Sequence, residues 1–262
     1  MVSVRDKVTI ITGASRGIGR ATAQVFAAAG AKVALAARAS AELEAVDAEL
    51  RGLGAEVLSI PTNVADRAAV EALVAQVYAQ WGRIDIVINN AGVGIQGNID
   101  ELPPDLVQQV FAVNCFGALS LIQAALPHMR RQRRGMIVNV SSPVAHMAFP
   151  GIGGYAASKA ALDAFSDTLR REEYRHNITV VTVYPGRIET NFDRARIRVR
   201  GSQRVGRSPF SGSPERVAQA ILHGVERQRP VVYALHPIER AAWIVHSLMP
   251  RAFDWIVGRR MG

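Results

Sequence analysis

Short apolar runs rich in β-branched residues alternate with longer stretches rich in alanine and leucine through the first two thirds of the chain. No other feature constrains the fold as much. Residues 8–11, 32–36, 57–60, 84–88, 136–140 and 178–184 read as strands, and 18–29, 40–52, 66–80, 104–128 and 154–176 as helices. Strands apolar on both faces must be covered on both faces. The repeat of strand then helix predicts an α/β fold: a doubly wound, mostly parallel sheet with helices on both faces and right-handed crossovers. The chain has 262 residues, 49% hydrophobic and 20% charged, enough for one such core and too apolar for a disordered segment. Its single cysteine, Cys115, excludes a disulfide scaffold and reads as a small buried hydrophobe.

The rhythm breaks after Gly186. Residues 191–213 carry Arg194, Arg196, Arg198, Arg200, Arg204 and Arg207 among Gly and Ser, and are long for a connection. They read as a substrate loop, or as a solvated one. Ser213, Pro214 and Glu215 combine a cap, a first-turn proline and an acid, so a helix is expected from there to 226. A last strand is expected over 230–235. The division is then a catalytic domain over 1–229 and a helical C-terminal extension over 230–262. In that extension Ile238, Ala241, Val245 and Leu248 recur at helical spacing, followed by Phe253, Ile256 and Val257. Trp243, Trp255, Arg259 and Arg260 flank these faces. The expectation is packing on the protein or a subunit partner, with peripheral membrane contact through 237–262 as the alternative. The sequence shows no signal-peptide pattern, and its apolar tail run is too short to span a bilayer, so a cytoplasmic location is expected.

Thr12-Gly13-Ala14-Ser15-Arg16-Gly17-Ile18-Gly19 follows the first strand and opens the first helix. Glycines there permit a tight turn, close approach to a phosphate and close packing of helix on sheet, and the helix N-terminus offers free N–H groups to a pyrophosphate. Strand two ends Ala36-Ala37-Arg38, without the acid that would accept from a ribose 2′-hydroxyl. Arg38 and Arg16 suit a 2′-phosphate instead. NADP(H) is therefore expected over NAD(H).

Tyr155 and Lys159 are four apart and share a helix face. A phenol near pKa 10 is a poor proton donor or acceptor at neutral pH, and an ammonium beside it favours the phenolate. Ser141 and Ser142 close the fifth strand, Asn89-Asn90-Ala91-Gly92 the fourth, and Pro185-Gly186 the sixth. These are the carboxyl ends of the strands, where ligands bind in such sheets.

These pieces closely resemble the classical short-chain dehydrogenases/reductases. The matches are TGASRGIG at 12–19, NNAG at 89–92, Asn114 in FAVNCFG, IVNVSS at 137–142, YAASK at 155–159 and YPGRIET at 184–190, in family order over most of the chain. The resemblance implies a Rossmann-like fold and an NADP(H)-type oxidoreductase. It implies Tyr155 as acid or base and Ser142, thirteen residues before it, as the group polarising the substrate oxygen. Lys159 would lower the tyrosine pKa and bind the nicotinamide ribose, and Asn114 would support a proton relay. Asn90, Ala91, Gly92, Pro185, Gly186, Ile188 and Thr190 would line the cofactor. Where many members have aspartate before valine after strand three, this chain has Asn63-Val64, and the Asn63 amide can still bond an adenine amino group. The tetrameric members' C-terminal pattern is missing, so a homodimer or a homotetramer with altered contacts is implied.

The expected reaction is hydride transfer between NADP(H) and a carbonyl or secondary alcohol. Reduction is favoured because NADP(H) is the expected coenzyme, and a lipophilic ketone or 3-oxo compound because Pro143, Val144, Ala145, Met147 and Phe149 follow Ser142. His146 among them reads as a polar pocket rim. The alternatives are an NAD-linked alcohol or hydroxysteroid dehydrogenase, or a catalytically silent nucleotide-binding module. The net charge of +9 rests on arginine, since only Lys7, Lys32 and Lys159 among 31 basic residues are lysines. No helix-turn-helix, zinc or aromatic-platform pattern accompanies it, so neither a nucleic-acid partner nor a metal is expected.

Overall fold

The computed structural model describes residues 1–188, 192, 195–199 and 211–261, with residues 260 and 261 described by their backbone alone. Thr190 lies outside the described residues, as do Arg194, Arg200, Arg204 and Arg207. Strand β1 (Val8–Thr12) leads into α1 (Gly17–Ala28), β2 (Lys32–Ala37), α2 (Ala41–Gly52), β3 (Val57–Pro61), α3 (Arg67–Trp81) and β4 (Ile86–Asn89). A short β5 (Ile95–Gln96) precedes α4 (Pro104–Phe111) and α5 (Gly117–Gln132). Then come β6 (Gly135–Val140), α6 (Gly153–Glu172), β7 (Ile178–Pro185), β8 (Ile197–Arg198) and α7 (Pro214–Glu226). Strand β9 (Val231–Ala234) and two tail helices, α8 (Pro237–Leu248) and α9 (Pro250–Met261), finish the chain.

Among the described residues the main sheet has the order β3-β2-β1-β4-β6-β7-β9, and every neighbouring pair is parallel. The chain builds outward from β1 to β3, then crosses back to start the other half at β4. The topological switch therefore lies between β1 and β4. Alternate residues of each strand feed opposite cores. Ile11, Leu35 and Val138 pack under α1, α2 and α7 through Phe26, Leu43 and Ile221. Ile10, Val87 and Ile137 pack under α3 and α5 through Leu73, Val77, Leu121 and Met129. This is the doubly wound Rossmann-like architecture, with a helical tail.

One local expectation needs correction. The helix expected over 104–128 is broken by a π-helical turn at Ala112–Phe116 and continues to Gln132. Pro127 sits inside α5, because Leu121, Ala125 and Met129 anchor that helix on the core around it. The strand expected over 230–235 forms as β9, which pairs with β7 and completes the sheet, and the first tail helix starts at Pro237. The small β5–β8 pair was not anticipated, since two residues per strand carry no periodicity.

The helical run Pro104–Gln132 is long and apolar enough to cross a bilayer, yet half of its apolar window is buried, and α5 packs on α3, β4 and β6.

Candidate active site

A cavity of about 1010 Å³ opens at the carboxyl edge of the sheet over the β1/β4 switch. Every described residue of the sequence-derived set lines it, except Gly19 and Asn114. One wall is the turn after β1. Gly13 has φ +66°, and a Cβ there would stand 2.9 Å from the Ala91 Cα. A side chain would thus push apart the two loops that meet at the switch. Those loops are laced together. The Asn90 amide donates to the carbonyls of Thr12 at 2.9 Å and Gly13 at 3.3 Å, and the Thr12 hydroxyl accepts from the N–H groups of Asn90 and Ala91 at 3.0 Å. Gly19 sits against the Gly13 carbonyl and closes α1 onto this turn, so its part is packing.

Helix α1 begins with no side-chain cap and no acid in its first turn. Its first N–H groups meet the cavity beside Ser15, Arg16, Gly17 and Ile18, an arrangement that suits a phosphate. Arg16 and Arg38 are exposed at this end, and among the described residues neither forms an ion pair. Asn63 is exposed and its Oδ1 accepts from Ala65 N at 3.2 Å, while Val64 beside it is buried. The residues present fit a dinucleotide: a capless helix start, a glycine turn too tight for a side chain, and two uncommitted guanidiniums.

At the other end α6 presents Tyr155 and Lys159. Lys159 is 4% exposed, and its Nζ donates to the Val140 carbonyl at 2.8 Å. Burial pushes its pKa down to about 8, against the opposing pull of Asp163 and Cys115. Cys115 is buried, as the sequence suggested, and burial pushes its thiol up. Tyr155 is half-buried, its ring 5.6 Å from that of Phe192. Ser142 lies on the wall where β6 ends, and its Oγ accepts from Val144 N at 3.4 Å.

Residues that sequence reasoning missed hold α6 in place. Asn89 donates to the Asn139 Oδ1 at 2.8 Å across paired positions of β4 and β6. Asn139 donates to the Ser166 Oγ at 2.7 Å, and Ser166 to the Leu162 carbonyl at 2.7 Å. An amide inside an apolar strand, as in IVNVSS, was the available signal: buried side-chain polarity needs a partner. Asn114 works similarly. From the π turn its Oδ1 accepts from Val93 N at 2.8 Å, and its Nδ2 donates to the Val93 carbonyl at 2.9 Å and the Ser158 Oγ at 3.0 Å. At 1% exposure this amide braces the loop after β4 against α6. His146 lies outside the cavity wall. Its Nε2 is 3.1 Å from the Tyr184 Oη and 3.2 Å from the Asp163 Oδ2, and the Asp163 hydrogen bond raises its pKa. Burial and Asp163 push the Tyr184 phenol up, and it donates to Asp163 at 3.1 Å.

The tail helices close one side of the cavity. Ile238, Glu239 and Ala242 of α8 are on its wall. The Trp243 ring lies 4.9 Å from His146, 5.2 Å from Tyr184 and 5.5 Å from Tyr233, and Phe253 of α9 lies 5.9 Å from Phe149. Of the apolar stripe evident in the sequence, Val245 and Leu248 are exposed on the outward side, and Ile238 is half-exposed on the cavity wall. The remaining inward positions are Glu239, Ala242, Trp243 and His246, because edge-on ring contacts and a carboxylate contact dock this helix.

Comparison with known proteins agrees with this geometry. A family model for short chain dehydrogenases matches residues 7–199. The chain is 35% identical over 266 residues to dehydrogenase/reductase SDR family member 7B of Bos taurus, covering 98% of this chain and 82% of that protein. It is 37% identical over 221 residues to the 3-oxoacyl-[acyl-carrier-protein] reductase FabG of Thermotoga maritima, covering 84% and 90%. The crystal structure of a short-chain dehydrogenase/reductase from Burkholderia phymatum in complex with NAD matches with a TM-score of 0.84 at 26% identity, over 96% of each chain.

Proposed function

The chain belongs to the short-chain dehydrogenase family and is an oxidoreductase of that kind, and from this premise we propose that it uses NADP(H) to reduce a lipophilic ketone or 3-oxo compound. One observation supports this reading most: a single cavity joins two uncommitted arginines at its nucleotide end to Ser142, Tyr155 and Lys159 at the other. Gly13, Ser15, Gly17 and Ile18 would hold the pyrophosphate, Arg16 and Arg38 the 2′-phosphate, and Asn63 and Val64 the adenine. Asn90, Ala91, Gly92, Pro185, Gly186 and Ile188 would line the nicotinamide half, with Thr190 as the expectation that falls outside the described residues. When bound, the nicotinamide supplies the hydride to the carbonyl carbon or takes it from the alcohol carbon. Tyr155 gives its hydroxyl proton to the substrate oxygen in reduction and takes it back in oxidation. Ser142 donates a hydrogen bond to the same oxygen. The Lys159 ammonium stabilises the phenolate left on Tyr155. Met147, Phe149, Ile152 and Phe192 on the wall favour an apolar substrate. The relatives include a 3-oxoacyl-carrier-protein reductase and a fatty acyl-CoA reductase of Acinetobacter baylyi, in keeping with an acyl-like chain.

Fluorescence titration with NADPH and NADH at fixed ionic strength tests the coenzyme. NADPH is expected to bind at least about tenfold tighter, and Arg38→Ala to remove most of that margin, as for a lost hydrogen bond to a charged group. Equal or NADH-favoured binding overturns the NADP(H) assignment and moves the reading to NAD-linked alcohol oxidation.

We also infer peripheral contact with an anionic membrane surface in a homo-oligomeric protein. Ile244, Leu248, Met249 and Trp255 are exposed on the tail helices, beside exposed Arg240, Arg251 and Arg259. Apolar side chains ringed by guanidiniums suit a bilayer interface. Sedimentation with phosphatidylserine-containing vesicles is expected, with release on Leu248→Glu and in high salt. If Leu248→Glu instead splits a dimer and vesicles do not bind, the face is a subunit contact.

A further inference from the structure

The carboxylate of Glu239 spans two segments distant in sequence. Its Oε1 accepts from the backbone N–H of Arg187 at 2.7 Å, and its Oε2 from that of His236 at 2.8 Å. The second bond closes a capping box at the start of α8. The first reaches the chain just after β7, beside Pro185 and Gly186 on the cavity wall. The fit there is close: a Cβ on Gly186 would stand 2.2 Å from the Glu239 Oε2. Gly186 N also donates to the Ala234 carbonyl at 2.9 Å, so β9 holds the same turn from behind. Trp243, one turn further along α8, packs on Tyr184 immediately before Pro185. The first turns of α8 are thus joined to the end of β7 by a carboxylate and a ring, and β9 joins the same turn by a backbone contact.

We propose that α8 is an element of the active site, with Glu239 the positioning residue for the Pro185–Ile188 segment and Ala242 a specificity-determining residue on the substrate side. This rests on the reading of that segment as the nicotinamide-side wall. Glu239 anchors the segment through a main-chain N–H, so it acts on whatever that wall touches without touching it. Ala242 is on the cavity wall four residues before His246 and leaves room that a larger side chain would fill.

The test compares NADPH with 2′,5′-ADP, which carries the phosphorylated adenosine end and no nicotinamide, on the full chain. Glu239→Ala is expected to weaken NADPH at least about fivefold and to leave 2′,5′-ADP within about twofold. Glu239→Gln keeps one acceptor and is expected to fall between. Ala242→Phe is expected to leave both affinities unchanged, and to raise KM for 2-decanone relative to acetone when NADPH oxidation is followed. Equal losses of both nucleotides in Glu239→Ala would show a merely structural role and overturn the proposal, as would no loss of either. Failure of the unaltered chain to bind either NADPH or NADH would instead bring down the cofactor reading with it. Ala241→Ser, exposed on the same helix and off the cavity wall, serves as the control expected to leave both nucleotide affinities unchanged.

Discussion

Tyr155→Phe is expected to lower turnover by about 10³-fold in the direction of reduction while leaving NADPH affinity unchanged. The substitution removes one hydroxyl and keeps the ring. The contact with Phe192 at 5.6 Å needs only the ring, so the wall keeps its shape. Helix α6 keeps its position, because Asn139, Ser166 and Asn114 hold it independently of the phenol. What goes is the only proton donor proposed to meet the substrate oxygen. Without it the alkoxide forming on that oxygen must be met by water or by Ser142 alone. The measurement is turnover of NADPH with a ketone panel, beside the NADPH titration and a thermal melt. Unchanged turnover with intact binding would remove Tyr155 from the mechanism, and no turnover in the unaltered chain would revive the catalytically silent reading.

Lys159→Met is expected to lower turnover by at least about 10²-fold and at the same time to stabilise the fold. The ammonium is buried, and its pKa falls from 10.5 to about 8. Two and a half pKa units correspond to about 3 kcal/mol of penalty on the charged form. Methionine restores the apolar volume without that penalty, but strands the Val140 carbonyl, worth about 1 kcal/mol. The net expectation is about 2 kcal/mol of added stability near neutral pH, read from the urea midpoint at unchanged slope. The pH dependence separates this from a general packing gain. Between about pH 8 and 10.5 the unfolded chain binds more protons at this lysine than the folded one, so native stability rises with pH through that window. The rise should be absent in Lys159→Met. Catalysis runs the other way. Above about pH 8 the folded protein loses the charge that stabilises the Tyr155 phenolate, so kcat/KM for reduction should fall there. A variant both inactive and less stable at every pH would mean that Lys159 serves chiefly to fill and bond the interior.

Much of the site was legible before the fold because its parts sit at strand ends. A parallel sheet brings all carboxyl ends to one edge, so a glycine turn after β1, a small-residue turn after β4, serines after β6 and Pro-Gly after β7 must be neighbours once the strand order is known. The Tyr155–Lys159 spacing on one helix needed only the helical period. The parts that were not legible depend on contacts across the sequence. Asn114 could be placed on a helix but not in a π turn, since one extra residue in a turn leaves no mark on the periodicity. The Asn89–Asn139–Ser166 chain links three elements, and no spacing within any one of them announces it.

The tail shows the same division most plainly. Its two helices and their apolar stripe follow from residue order, because helix formation and amphipathicity are local properties. Which stripe turns inward is decided by partners far away in the chain. Trp243 finds Tyr184 and His146, and Glu239 finds the Arg187 N–H, so Val245 and Leu248 face outward. Sequence alone determined the doubly wound α/β order, the glycine turn and the residues proposed for proton transfer, because each is encoded within one element and its end. Tertiary structure alone decided the orientation of the tail, the braces on α6 and the depth of Lys159, because burial and hydrogen bonding are properties of the packed neighbours and not of the residue.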